Sequence, residues 1–264
     1  MTRIAICGAG GRMGQMVIRC ASEAGAQVTA AVEQSGHASI GKDAGITAGI
    51  AENGVTVSDD METLGKSEAV IDFTFHTAVP DTIRAAARLA KPVVVGTTGL
   101  NEQEQDVLRS ASSDIPIVWA PNMSLGVNLL FDAVRKAASA LGKGYSALIR
   151  ETHHVHKKDA PSGTAIRLGQ KIAEGRGAAF DSISVHNPEN TKEELEQGRI
   201  VIESRREGEV VGLHTVTFEN EGEKIQFAHE AHSRDAFALG AIHAARWIVS
   251  RPPGLYDMQD VLGL

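Results

Sequence analysis

Through the first half of the chain, short apolar runs alternate with stretches whose apolar positions fall at helical spacing, the order that builds a parallel sheet flanked by helices. Residues 3–7, 27–32, 69–73, 92–95 and 115–119 read as strands. Between the third and fourth, residues 79–89 carry Ala, Ile and Leu at helical spacing, with Pro80 near the start, where its missing N–H matters least. Asn101 and Glu104 form an N-cap and capping-box pair that predicts the next helix.

Beyond Trp119 the pattern changes. It predicts a long helix over 127–141, a strand over 146–152, a histidine-rich loop, a helix over 164–174 and a polar surface excursion over 187–198. Residues 199–206, 210–219 and 224–231 alternate as strands, which predicts a mainly antiparallel sheet in a separate α+β unit. A final helix is expected over 235–249, and periodicity does not say which unit it joins.

A chain of 264 residues with 42% hydrophobic content can bury one large core or two modest ones. Its formal net charge of -7 gives no electrostatic reason to expect nucleic-acid binding, although basic residues gather over 150–158, enough for a small anion. Cys7 and Cys20 show neither a disulfide framework nor metal-type spacing. No signal-peptide pattern is present and no apolar run approaches about 18 residues, so a cytoplasmic protein with no membrane span is expected.

The segment Gly8-Ala-Gly-Gly-Arg-Met-Gly14 follows a predicted strand and opens a predicted helix, where unpaired N–H groups can meet a phosphate. Its glycines at 8, 11 and 14 depart from the commoner Gly-x-Gly-x-x-Gly phase. Glu33 ends the next strand, 19 residues beyond Gly14, the spacing at which an acid accepts hydrogen bonds from a ribose. A dinucleotide fits better than a bare structural turn. Glu33 suits a free 2′-hydroxyl, Gln34 offers no charge to a 2′-phosphate and Arg12 could reach one, so NADH is expected, with NADPH possible. The segments 96–99 and 120–123 also follow strand ends, where ligands of parallel sheets collect.

Residues 151–164 combine His153, His154, His156, Lys157, Lys158, Asp159 and a Ser162-Gly163-Thr164 step into a helix. Each has a bland reading: surface histidines, a solvated lysine pair, a serine cap. A zinc site is disfavoured because adjacent histidines do not share one face and no spaced partner completes a tetrahedral set, so no metal is expected. Together they read as an anion seat at Gly163 and Thr164 with lysine charge and a histidine proton beside it.

These motifs, with Asp72-Phe-Thr74, Gly96-Thr-Thr-Gly99, Ala120-Pro-Asn-Met123 and Gly212-Leu-His-Thr215, resemble those of the 4-hydroxy-tetrahydrodipicolinate (dihydrodipicolinate) reductases of bacterial lysine biosynthesis, along nearly the whole chain. The resemblance implies a Rossmann-type domain over 1–126, completed by 235–264, and a substrate-binding and tetramerisation domain over 127–234. It implies His153 as proton donor, Lys157 as catalytic cation and His154, Gly163 and Thr164 as ligands of a cyclic dicarboxylate. Nucleotide contacts would be Gly8, Ala9, Gly10, Gly11, Arg12, Met13, Glu33, Gly96, Thr97, Thr98, Ala120, Pro121, Asn122 and Met123. The reaction implied is hydride transfer to the unsaturated ring with proton delivery and net loss of water, in a homotetramer. A reductase of a related imine or semialdehyde, or a sensor that binds the nucleotide without chemistry, are the competing readings.

Two departures stand out. Many members carry arginine after the ribose-binding acid, where this chain has Gln34, and the usual glycine-rich run ending in Ile-Gly-Phe is replaced over 189–202 by one ending Gly198-Arg-Ile-Val-Ile202.

Overall fold

The structure is a computed structural model that describes every residue except Gln197. Its elements begin β1 (Thr2–Cys7), α1 (Arg12–Cys20), β2 (Ala26–Val32), α2 (Ala44–Thr47), β3 (Val57–Ser58), β4 (Ala69–Asp72), α3 (Val79–Arg88), β5 (Val93–Val95), α4 (Glu102–Ala111) and β6 (Pro116–Trp119). There follow α5 (Leu125–Leu141), β7 (Ser146–His153), α6 (Gly163–Gly175), α7 (Phe180–Ile183), β8 (Ser184–His186), α8 (Thr191–Glu196), β9 (Ile200–Arg206), β10 (Gly212–Glu219) and β11 (Lys224–Ala231). The chain closes with α9 (Asp235–Ile248), β12 (Gly254–Tyr256) and α10 (Met258–Leu262). It divides into two compact units, Met1–Leu125 with Asp235–Leu264, and Gly126–Arg234.

The first unit holds a seven-stranded sheet in the order β12-β6-β5-β4-β1-β2-β3, every pair parallel. Helices cover both faces, which is why its strands are apolar at successive positions rather than alternate ones. Ile4 and Ile6 of β1 pack into one core with α1 and α9, while Ala5 and Cys7 pack into another with Ile83 of α3 and Leu108 of α4. The five expected strands are present. β3 and β12, of two and three residues, are too short to leave a periodic signal. The capping box is formed: Asn101 accepts from the Glu104 N–H, and Glu104 from the Asn101 N–H.

β1 has β2 on one side and β4 on the other, so the strand order reverses there, and the carboxyl end of β1 is the position where such sheets take ligands. The last long helix, α9, packs against α1 and over β4 and β5. Gly240 lets the same helix lie against the loop after β6, since a Cβ there would lie 1.8 Å from the Met123 carbonyl oxygen.

In the second unit the five-stranded sheet runs β11-β10-β7-β9-β8. β10 is antiparallel to β7 and β11, but β9 is parallel to both β7 and β8, so the sheet is mixed and not mainly antiparallel as alternation suggested. Period-two patterning identifies a strand without fixing its direction. Here α6 lies between β7 and β9 in sequence, and such a crossover returns the chain in the same sense. Within 187–198 the chain forms α8, which buries no residue and carries a Lys192–Glu196 ion pair at 3.7 Å; Gln197 lies outside the described residues.

β7 leads from this unit's core to its polar cluster. Ala147 and Ile149 pack with Leu168 and Ile172 of α6 and Val216 of β10. Side chains two apart share a face, so Glu151 and His153 continue that row beyond the apolar core.

Candidate active site

At the end of β1 the chain turns through Gly8 with φ +78°, where a Cβ would stand 2.9 Å from the Phe73 carbonyl oxygen. A Cβ at Gly14 would fall 2.1 Å from the Gly8 carbonyl oxygen. Both positions therefore require glycine, and the turn delivers the backbone to the N-terminus of α1, capped by Gly11 without a side-chain hydrogen bond. Several loop donors are used internally: Gly8 and Ala9 donate to the Val32 oxygen at 2.9 and 3.1 Å, and Gly11 to the Gly8 oxygen at 3.0 Å. Ala9 is fully buried, whereas Arg12 is exposed and Met13 half-buried. Glu33 accepts from the Gly10 N–H at 2.8 Å and the Gln34 N–H at 2.9 Å, so the acid is fixed against the loop it was expected to serve.

A cleft of about 690 Å³ opens beside this turn, lined by Gly8, Gly11, Glu33, Gln34, Asp59 and Asp81 among others, with no Lys or Arg on its wall among the described residues. The donors of a helix start, reached by a turn that only glycine at positions 8 and 14 permits, fit a dinucleotide phosphate.

The neighbouring loops are tied together by Asp72, buried at the end of β4. Its Oδ1 accepts from the Thr74 N–H (2.9 Å) and hydroxyl (2.8 Å) and from the Thr97 hydroxyl (3.2 Å). Burial pushes this carboxyl above its ordinary range, against those hydrogen bonds. Thr97 is thus buried and engaged with Asp72 and the Thr74 oxygen (2.9 Å), while Thr98 is exposed. A Cβ on Gly96 would meet the Phe73 ring. In the next loop Ala120 and Met123 are buried, Pro121 is exposed, and the Asn122 side-chain Oδ1 accepts from the Ser124 N–H at 2.9 Å.

In the second unit, strand register sets out two polar rows. Ser204 and His214 pair with Glu151, and His229 with His214; Arg206 pairs with His153. The fully buried Glu151 accepts through Oε2 from His153 Nδ1, and through Oε1 from Arg206 Nη1 (3.1 Å) and the Ser162 N–H (3.2 Å). Burial alone would raise the Glu151 carboxyl, but the hydrogen bonds, led by His153, hold it down to about 2. His214 meets Ser162 Oγ at 3.2 Å, and burial, then the charge of His153, push it down to about 3. Glu151, His153 and His214 offer atoms within 4.8 Å of one another, so a spaced histidine does approach the pair in space. Arg206 already supplies positive charge to that carboxylate.

Lys157 Nζ binds both oxygens of Asp159, at 2.8 and 2.7 Å. The histidine-rich loop ends in Ser162, which caps α6 by accepting from the Ala165 N–H at 3.2 Å. Gly163 and Thr164 are therefore the first helical residues, where the helix dipole favours an anion. The backbone of His154 donates to the Val210 oxygen at 2.7 Å, and its Nδ1 has no partner among the described residues.

The structure brings His153, His154, Lys157, Gly163 and Thr164 into one unit, and the glycine loop, Glu33 and the strand-end loops into the other. Sequence reasoning missed Arg206, and it saw His214 only as part of a motif. A signal for Glu151 existed in its position two before His153 on a strand; nothing local pointed to Arg206.

The model for "Dihydrodipicolinate reductase, N-terminus" matches residues 2–123 and that for "Dihydrodipicolinate reductase, C-terminus" residues 126–262. The 4-hydroxy-tetrahydrodipicolinate reductase of Geobacter metallireducens is 43% identical over 100% of both chains, and that of Alkalilimnicola ehrlichii 45% identical over 100% of this chain and 99% of its own. Among solved structures, a dipicolinate-bound dihydrodipicolinate reductase from Paenisporosarcina sp. TG-14 superposes with a TM-score of 0.76 at 23% identity, covering 98% of each chain. An amine dehydrogenase from Mycobacterium smegmatis shares the fold at a TM-score of 0.67 and 12% identity, over 96% of this chain and 94% of its own. Matched end to end by both halves of one family, the chain belongs to the dihydrodipicolinate reductases.

Proposed function

We propose that this chain is a 4-hydroxy-tetrahydrodipicolinate reductase that uses a reduced nicotinamide dinucleotide, NADH in preference to NADPH, and acts in lysine biosynthesis through diaminopimelate. The observation that carries the reading is the match of both units to the two halves of that family. The cofactor preference rests on the cleft wall: Glu33, Asp59 and Asp81 would repel a 2′-phosphate, and no Lys or Arg among the described residues there offsets them.

When bound, the dihydronicotinamide supplies a hydride to the unsaturated ring. The chain's own residues do the remainder. The glycine turn and the start of α1 take the pyrophosphate, Glu33 the ribose, and the loops 96–98 and 120–123 flank the nucleotide. Gly163 and Thr164 at the start of α6, with His154, hold a substrate carboxylate. Lys157 exchanges its exposed partner Asp159 for the substrate's negative charge. His153 delivers the proton, so that the ring gains a hydride and a proton and loses water overall.

The second unit also builds the assembly, a homotetramer in the cytoplasm. β11 lies at the edge of its sheet with exposed and half-buried residues alternating along it, a template for pairing with another copy. No helix of the described residues is long and apolar enough to cross a membrane.

A steady-state assay with enzymatically generated substrate tests the reading. NADH oxidation exceeding NADPH oxidation is the expected result; no turnover with either nucleotide overturns it. Sedimentation of the purified protein reports the tetramer.

A further inference from the structure

The polar rows at the end of β7 contain two charged residues to which the proposed reaction gives no role. We propose that Glu151 and Arg206 are positioning residues: Glu151 commits His153 to carrying its exchangeable proton on Nε2, and Arg206 locks that carboxylate to the loop bearing Lys157. The inference rests on the assignment of His153 as proton donor.

An ionised carboxylate has no proton to give, so its contact with His153 Nδ1 requires the hydrogen to sit on that nitrogen. Glu151 stays ionised because its second oxygen is saturated by Arg206 and the Ser162 N–H, the condition under which a buried charge is tolerated. With Nδ1 engaged, the proton that comes and goes is on Nε2. That edge of the ring faces Gly212, where even a Cβ would stand only 3.2 Å from Nε2. Glycine there keeps the donor edge clear.

The same guanidinium reaches the loop. Arg206 Nε donates to the Lys157 carbonyl at 3.3 Å, and Nη2 to the Asp159 carbonyl. One side chain thus fixes the backbone on both sides of Lys158 and the carboxylate under His153. The other titratable groups about the ring are His214 on β10, His229 beyond it on β11, and Lys157 itself. His214 packs edge-on against His153 with centroids 5.1 Å apart, and burial keeps it neutral, so it does not compete for the proton.

The test uses the full-length protein labelled with 15N-histidine, with the His153 signals identified by their loss in His153→Gln. Long-range 1H–15N correlation is expected to show the neutral ring protonated on Nδ1; a ring protonated on Nε2 overturns the proposal whether or not the Glu151 and Arg206 variants fold. In steady-state kinetics, Glu151→Gln is expected to lower kcat about 10²-fold while KM stays within about threefold. Arg206→Lys, which keeps charge but not the fork of donors, is expected to lower kcat/KM about tenfold. An unchanged kcat in Glu151→Gln, or a loss confined to KM, overturns the positioning role. Wild-type turnover by His153→Gln would instead sink the donor assignment itself, whereas an inactive His153→Gln beside an unaffected Glu151→Gln removes only the positioning pair.

Discussion

The carbonyl oxygen of Gly8 occupies the space that a side chain at Gly14 would need, 2.1 Å from an ideal Cβ. The obstructing oxygen belongs to the backbone and a Cβ is fixed directly to the backbone, so neither yields as the tip of a flexible side chain would. Gly14→Ala is expected to cost about 1–3 kcal/mol of stability, measured by denaturant unfolding. Displacement of the loop should also weaken NADH binding at least about tenfold, or about 1.4 kcal/mol, by fluorescence titration. A folded variant with unaltered affinity would show that this turn does not cradle the nucleotide.

Gln34 stands beside Glu33 on a cleft wall that, among the described residues, carries acids and no Lys or Arg. Placing a guanidinium there gives a 2′-phosphate a partner. Gln34→Arg is expected to raise the NADPH to NADH ratio of kcat/KM about tenfold, equivalent to about 1.4 kcal/mol of differential binding. An unchanged ratio would locate the adenosine ribose elsewhere.

Lys157 and Asp159 form an ion pair in which the acid is 61% exposed and the lysine 22%. Such a pair contributes little to stability, and the two partners should differ sharply in function. Lys157→Met is expected to reduce kcat/KM about 10²-fold, and Asp159→Asn to change it by less than about threefold. Equal losses in the two variants would mean that the pair, rather than the lysine, is what the substrate requires.

Acid stability should show two windows. Glu151 in the folded chain is held at about 2, below its ordinary 4.5, so its stabilisation is complete above pH ~4.5 and is lost as pH falls toward 2. The size is on the order of 3 kcal/mol, since each unit is about 1.4 kcal/mol. His214, held at about 3 instead of 6.5, makes the unfolded chain bind more protons below pH ~6.5, so stability also falls from there toward pH 3. Unfolding free energies measured across pH 7 to 3 should flatten in the upper window for His214→Gln and in the lower window for Glu151→Gln. If neither variant changes the slope, the buried pair does not govern acid unfolding.

The features legible in the sequence were those whose meaning is local. A glycine turn following a strand, an acid at the end of the next strand and a capping box at Asn101 each act within a few residues or one βαβ unit, and each appears where its spacing places it. The direction of β9 was not legible, because alternation is the same in parallel and antiparallel strands. Nor was the surrounding of His153. Glu151 lies two positions away, but Arg206 and His214 are 53 and 61 residues further along, and only the pairing of β9 and β10 with β7 brings them to it. The short helix α8 escaped because Leu195 is its one apolar residue, too few to leave an amphipathic period.

The return of α9 to the sheet of β4 and β5 bears on how the chain is made. Residues 126–234 are contiguous, so that unit can close on itself while synthesis continues. The nucleotide-binding unit cannot: one side of β4 and β5 stays uncovered until residues 235–248 emerge. The half translated first is therefore the half completed last, and during that interval its exposed valines and isoleucines are the part of the nascent chain most in need of protection from aggregation.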